Sequence, residues 1–237
     1  MAHSEPTIVL VHGAFADGSG FTPLIERLAS DGHRVVAAPN PLRGLSSDAE
    51  QVKALLKSIE GPIILVGHSY GGAVISAAAT GNSAVKALVY LAAFVPETGE
   101  SVQELVEKFP GSTVGVSLKP VPLPGEQVDL YIDPRVFHLN FAGDLPADQA
   151  ALLAITQRPA TGAALGEPAE GPQAWHTIPS YNLISGDDRI IPPAAQEFMA
   201  RRSGARIEVV EGASHLVFVS HPDLTAAFIG RAVSENI

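Results

Sequence analysis

Ile63-Ile64-Leu65-Val66-Gly67-His68-Ser69-Tyr70-Gly71-Gly72-Ala73-Val74 changes character twice within a short span. The four apolar residues at its start are too short a run for a helix and read as a strand buried on both faces. The small-residue run Ala73–Thr80 reads as a helix. Between them lies G-x-S-x-G, with Ser69 at its centre. A serine held on so sharp a strand-to-helix turn needs a strained backbone, and Gly67 and Gly71 keep side chains out of the crowded space around it. The helix that follows points its first N–H groups at the same place, which favours negative charge developing there. Ser69 is therefore the candidate nucleophile.

Working outward, similar apolar runs occur at Ile8–Val11, Val35–Ala38 and Ala87–Leu91, and later at Tyr181–Ile184 and Ile207–Val210. In the first half their starts recur every 24 to 28 residues, the length of a strand, a turn and a crossover helix. Helix signals fill the gaps. Thr22–Ala29 is followed by Asp31-Gly32, and Ser46 or Ser47 can cap a helix carrying Val52, Leu55, Leu56 and Ile59 on one face. Pro193 and Pro222 open two late helices at the position where proline is accepted. The fold class is α/β, a doubly wound, mostly parallel sheet of about six strands. Between Val95 and Pro179 the rhythm breaks under repeated prolines. Ser101 and Glu104 form a capping box for a short helix ending by Pro110, and the one convincing helix of the stretch runs from Asp144 to about Thr156. Long insertions of this kind usually serve the site, so residues 97–179 read as a lid and residues 1–96 and 180–237 as the core.

A serine alcohol needs a base, and the base needs a carboxylate to orient it. Of the eight histidines, His3 lies in the tail, His33 at a helix end, and His138 and His176 in the insertion. His12 and His68 sit beside glycines in tight turns and read as packed, hydrogen-bonded side chains. His215 lies in the loop between the last strand and the last helix, where it can reach the strand ends. Pro222 pins its competitor, His221, to a helix start. Asp187 and Asp188, just after the strand Tyr181–Ile184, are the available carboxylates, one as orienting acid and the other as a turn residue. An oxyanion needs two N–H donors. Tyr70 supplies one by position, and Ala14, or failing that Phe15, supplies the other from the glycine-rich loop after the first strand.

Composition removes other classes of function. Lys and Arg number 15 against 25 Asp and Glu, a net charge of −10, which argues against nucleic acid or an anionic membrane as partner. No Cys is present, so disulfides, thiolate metal sites and cysteine nucleophiles are excluded, and a reducing cytoplasmic location suits the chain. No apolar run approaches the roughly 18 residues that span a bilayer. No phosphate-binding glycine motif and no metal-ligand spacing occurs. A small molecule is the expected partner, and a homodimer is left open.

Val11-His12-Gly13, Gly67 through Gly72, Asp188-Arg189-Ile190-Ile191-Pro192-Pro193 and Ser214-His215 together resemble the α/β-hydrolase superfamily. The branch is that of small bacterial esterases, plant methylesterases and hydroxynitrile lyases. The resemblance implies a cofactor-free serine hydrolase with a lid over an apolar pocket, and it selects Asp188, the Asp directly before Arg, as the acid of a Ser69–Asp188–His215 triad. Lyases of the branch carry threonine in the first oxyanion loop and lysine beside the histidine, where this chain has Gly13 and Leu216. Ester hydrolysis is the expectation. A small-molecule receptor, or lyase or perhydrolase chemistry with the same triad, are the alternatives. Phe15, Phe94, Phe141 and Trp175 are the expected pocket walls.

Overall fold

The computed structural model describes residues 5–125 and 127–237; His3 lies outside them. The first half follows the predicted alternation, with β1 (Thr7–Val11), α1 (Thr22–Ser30), β2 (Arg34–Ala38), α2 (Leu45–Lys57), β3 (Ile63–His68), α3 (Tyr70–Ala78) and β4 (Val85–Leu91). The next stretch carries α4 (Val102–Glu107), α5 (Val114–Ser117), β5 (Leu118–Pro122), β6 (Val128–Ile132), α6 (Pro134–Phe141), α7 (Ala147–Thr156), β7 (Ala160–Thr161) and α8 (Gly162–Gly166). The chain then returns through β8 (Ser180–Ser185), α9 (Pro193–Arg202), β9 (Arg206–Val210), α10 (Val217–Ser220) and α11 (Pro222–Asn236).

Six strands form one parallel sheet in the order β2-β1-β3-β4-β8-β9. Every residue of β1, β3 and β8 is buried, which is why the runs Ile8–Val11 and Ile63–Val66 are continuously apolar where an antiparallel strand with one wet face would alternate; β8 also buries Ser180, Asn182 and Ser185. Strand order reverses after β1 and β2, so the loops following β1 and β3 open side by side at the carboxyl ends. In an open α/β sheet that crevice is where ligands bind.

Two local expectations are corrected. The helix after Ser69 starts at Tyr70, three residues before the predicted Ala73, because the two glycines form its first turn. Neither Ser46 nor Ser47 caps α2. Gly44 is the N-cap residue, Ser47 Oγ donates to the Gly44 carbonyl, and Ser46 Oγ donates to Glu167. The Ser101–Glu104 capping box is present as read, and Pro193 and Pro222 each sit in the first turn of their helices.

Residues 97–179 are more regular than their prolines predict. They carry a three-stranded antiparallel sheet in the order β5-β6-β7 and, besides α7, the two-turn helix α6. The prolines sit where they cost little. Pro134 opens α6 and Pro146 precedes α7, while Pro120 and Pro122 alternate along β5, an edge strand with a single partner. There a missing N–H on the outer edge breaks no ladder bond.

Candidate active site

Ser69 has φ 53° and ψ −123°, a left-handed conformation that costs a non-glycine residue roughly 1–3 kcal/mol. Close packing holds it there. A Cβ on Gly67 would lie 2.6 Å from the Gly71 carbonyl oxygen, one on Gly71 would lie 2.3 Å from the Val11 carbonyl oxygen, and one on Gly72 would lie 2.4 Å from that of Phe94. The glycines thus let β3, the start of α3 and the ends of β1 and β4 converge on one point. Ser69 is 5% exposed and lies on the wall of a cavity of about 480 Å³.

His215, on the loop after β9, is fully buried, and its Nδ1 lies 2.7 Å from Asp188 Oδ2. A carboxylate at Nδ1 fixes the proton on that nitrogen and leaves the Nε2 lone pair free. Nε2 has no hydrogen-bond partner among the described residues. The ring lies 4.7 Å from that of His68, the residue before Ser69, and the His215 carbonyl accepts from His68 Nε2 at 3.1 Å. The loop carrying His215 and the turn carrying Ser69 are therefore tied directly together.

Asp188 is held on both oxygens. Oδ1 accepts from the Ile190 and Ile191 amides at 2.7 and 3.0 Å, and Oδ2 accepts from Gln196 Nε2 at 2.8 Å as well as from His215. Asp187 is exposed, and its amide donates to the Ala213 carbonyl, so the geometry separates two carboxylates that sequence reasoning alone left level. Gln196 escaped that reasoning. Its signal was a lone amide on the buried face of α9, and its Oε1 also accepts from the Ser185 amide.

The Ala14 and Tyr70 amides donate to no acceptor among the described residues, and both residues line the cavity beside Ser69. Gly13 makes the approach feasible, since a Cβ there would lie 2.6 Å from Ser69 Cβ. Burial drives the ionisation of His12 and His68 below the ordinary imidazole value, and the neighbouring His215 pushes His68 further down. Both rings are buried and hydrogen-bonded, as the sequence predicts. The other described histidines lie elsewhere. His138 bonds the Leu145 carbonyl, His176 pairs with Glu97, and His221 lies 3.7 Å from Asp144.

Of the four aromatic residues expected in the pocket wall, Phe15 and Phe94 line the cavity; Phe141 and Trp175 do not. Phe141 stacks edge-on against the His215 ring at 4.8 Å, so it packs against that ring instead of lining the cavity. Trp175 is drawn away by its N–H, which donates to the Pro96 carbonyl at 2.9 Å while the ring stacks on His176. The insertion supplies the rest of the wall, chiefly through Val102, Val106, Leu118, Leu130, Leu165 and one aromatic residue, Phe109. The cavity is lined by no Lys or Arg among the described residues, and no cluster of three metal-ligating side chains occurs among them.

Residues 8–228 match the Alpha/beta hydrolase family. The chain belongs to that family. It is 31% identical to a pyrethroid hydrolase of Sphingobium wenxiniae over 94% of this chain and 85% of the relative. It is 24% identical to an alpha-hydroxynitrile lyase of Arabidopsis thaliana over 90% and 92% of the two chains. The structure of a methylesterase protein from Arabidopsis superposes with a TM-score of 0.82 at 20% identity, covering 97% of this chain and 99% of that one. The six-stranded parallel sheet is the α/β-hydrolase fold, and within the family the chain falls in the esterase branch. No helix of the described residues is long and apolar enough to cross a membrane.

Proposed function

We propose that the protein hydrolyses carboxylic esters of small, largely apolar substrates through an acyl-enzyme on Ser69. His215 Nε2 takes the serine proton as Oγ attacks the ester carbonyl, and Asp188 holds the imidazole tautomer and stabilises the imidazolium that forms. The tetrahedral oxyanion receives the Ala14 and Tyr70 N–H groups. Collapse of the intermediate expels the alcohol, protonated by His215, and a water activated by the same base then releases the acid and regenerates Ser69. Residues 97–179 act as the lid, and the lid supplies most of the wall that the acyl or alcohol group meets.

The observation that carries this reading is the His215 Nδ1–Asp188 Oδ2 contact of 2.7 Å, which leaves Nε2 unpartnered, together with the left-handed Ser69 on the wall of an apolar cavity. A cavity of about 480 Å³ falls within the ordinary range for small-molecule sites. The test is twofold. A fluorophosphonate should label Ser69 in intact wild-type protein, located by peptide mass spectrometry. Ser69→Ala should remain folded yet lose nitrophenyl-ester turnover by about 10⁴-fold or more. Label on another residue, or undiminished turnover, rejects the mechanism. Tight ligand binding with turnover no faster than dissociation would favour a receptor.

A further inference from the structure

We propose that His12 and Asn40 form a positioning pair that aims the Ala14 N–H at the oxyanion, an inference that rests on the hydrolase reading above. His12 follows β1 and Asn40 follows β2, neighbouring parallel strands whose ladder ends at Val11 and Ala38. Both side chains are buried, with Asn40 fully so. Three hydrogen bonds carry the pairing past the strand ends. The Asn40 amide donates to His12 Nε2 at 3.3 Å, Asn40 Nδ2 donates to the His12 carbonyl at 2.8 Å, and His12 Nδ1 lies 3.0 Å from the Gly13 carbonyl.

The tautomer follows from the first of these. A backbone N–H can only donate, so Nε2 must be the accepting nitrogen and Nδ1 must carry the proton. That proton goes to the Gly13 carbonyl oxygen. The Gly13 C=O and the Ala14 N–H belong to one planar trans peptide and point in opposite directions. Fixing the carbonyl on the His12 side therefore turns the amide hydrogen toward the other side, where Ser69 lies and where no protein acceptor takes it. Gly13 has no side chain to hold this plane, and Phe15, just after Ala14, has φ 62°, so the loop has little intrinsic preference to keep the amide in place. Burial keeps His12 neutral, reinforced by Arg158 and opposed by the Gly13 carbonyl and Asp17. A protonated ring would set its Nε2–H against the Asn40 N–H and break the arrangement.

The pair touches no substrate. Its effect should appear in the transition state and be absent from the ground state, and that separates it from general structural support. The experiment uses His12→Phe, which keeps the ring volume and removes both nitrogens, and Asn40→Ala, which keeps the backbone donor and removes only the brace on the His12 carbonyl. Each is compared with wild type for kcat and KM on a nitrophenyl ester, for affinity toward an aryl trifluoromethyl ketone, which forms an oxyanion on the serine, and for melting temperature. For His12→Phe, kcat should fall about 10- to 100-fold, short of the ~10²–10³ lost when a donor is removed outright. Asn40→Ala should fall less, and it carries the test alone if the first variant does not fold. In both, ketone affinity should drop by the same factor as kcat while KM moves less than about threefold. If kcat is unchanged, or falls without the matching loss of ketone affinity, the inference is overturned and the hydrolase reading stands. A wild-type protein that neither turns over esters nor binds the ketone overturns both.

Discussion

A single methyl group at residue 13 should disable the site while leaving the fold intact. An ideal Cβ on Gly13 would stand 2.6 Å from Ser69 Cβ, 2.8 Å from the His68 carbonyl oxygen and 3.1 Å from His68 Nδ1. Two carbons rest at about 3.5–4.0 Å, so in Gly13→Ala something must move by about 1 Å. None of the three atoms is the free end of a flexible side chain. The first is the Cβ of a residue already pinned in a strained turn, the second is backbone in β3, and the third is on a ring whose other nitrogen is bonded to the His215 carbonyl. The softest response is displacement of the 13–14 peptide away from the serine, and that peptide carries the Ala14 N–H. A misplacement of about 1 Å at a reacting centre costs on the order of 10²-fold in rate, or about 2.7 kcal/mol of barrier.

Initial rates with nitrophenyl acetate should therefore show kcat down about 10²-fold with KM within about threefold, because the acetyl group asks little of the distal cavity wall. The melting temperature should fall by only a few degrees, since the displaced loop lies at the strand ends and not within the sheet. Activity within about twofold of wild type would refute the reasoning. It would mean either that the loop absorbs a side chain without moving its amide or that this amide contributes nothing to the transition state.

Gln196→Leu removes the Nε2 donor to Asp188 and leaves the Ser185 amide without its acceptor, so denaturation should show a loss of about 1–3 kcal/mol, accompanied by lower kcat; an unchanged kcat would confine Gln196 to a structural role. Leu165→Trp, on the part of the cavity wall built by residues 97–179, should shift the acyl-chain preference to shorter esters in a chain-length series without slowing acetate, and a uniform loss across the series would place the acyl group elsewhere. Stability should also fall as pH drops below about 6.5, because the unfolded chain protonates two histidines that the fold keeps neutral, His12 and His68. The slope is ~1.4 kcal/mol per pH unit for each, until the depressed folded-state value is reached. Asp48, raised by burial, has the opposite sign in its own window above the ordinary carboxylate value, where the folded state holds the extra proton. Equal urea midpoints at about pH 7.5 and about pH 5.5 would contradict this balance.

The parallel sheet and the nucleophile turn were legible because both are dictated locally. A strand covered on two faces is mostly apolar with no alternation, as Ile8–Val11 and Ile63–Val66 are, and a serine at φ 53° must have glycines where backbones converge. His215 was singled out as the candidate base by elimination, since only one histidine lies on a loop that returns to the strand ends without a proline at its shoulder. Choosing between Asp187 and Asp188 needed the family resemblance, because the two differ only in which way a tight turn points them. The insertion was the least legible part. Its short strands pair across residues 118–161 in a ladder that no local pattern encodes, and its prolines, read as interruptions, mark helix starts and an edge. Two of the four aromatic residues expected in the pocket wall lie elsewhere. The Trp175 indole N–H is held by the Pro96 carbonyl, and Phe141 packs on the His215 ring.

The same geometry bears on why a scaffold shared with a hydroxynitrile lyase should run as a hydrolase here. Releasing cyanide from a cyanohydrin puts an anion into the cavity, and in apolar surroundings an anion is costly without a nearby cation. Among the described residues this cavity offers no Lys or Arg. Leu216, where the lyases carry lysine, is 3% exposed and lines a separate small cleft with Phe137, Phe141 and Phe218, so that position is committed to packing. The Gly13 position has no room for threonine's Cβ while the serine stays in place. What the site does supply is two amides beside Ser69, a stabiliser suited to an oxyanion that forms on the substrate carbonyl and disappears again within each half-reaction. In the proposed mechanism the charge handled is transient and always next to the serine, so a largely apolar cavity is no handicap. In this chain the two positions disfavour cyanohydrin cleavage for different reasons: Leu216 brings no positive charge to a departing anion, and Gly13 brings no hydroxyl beside Ser69.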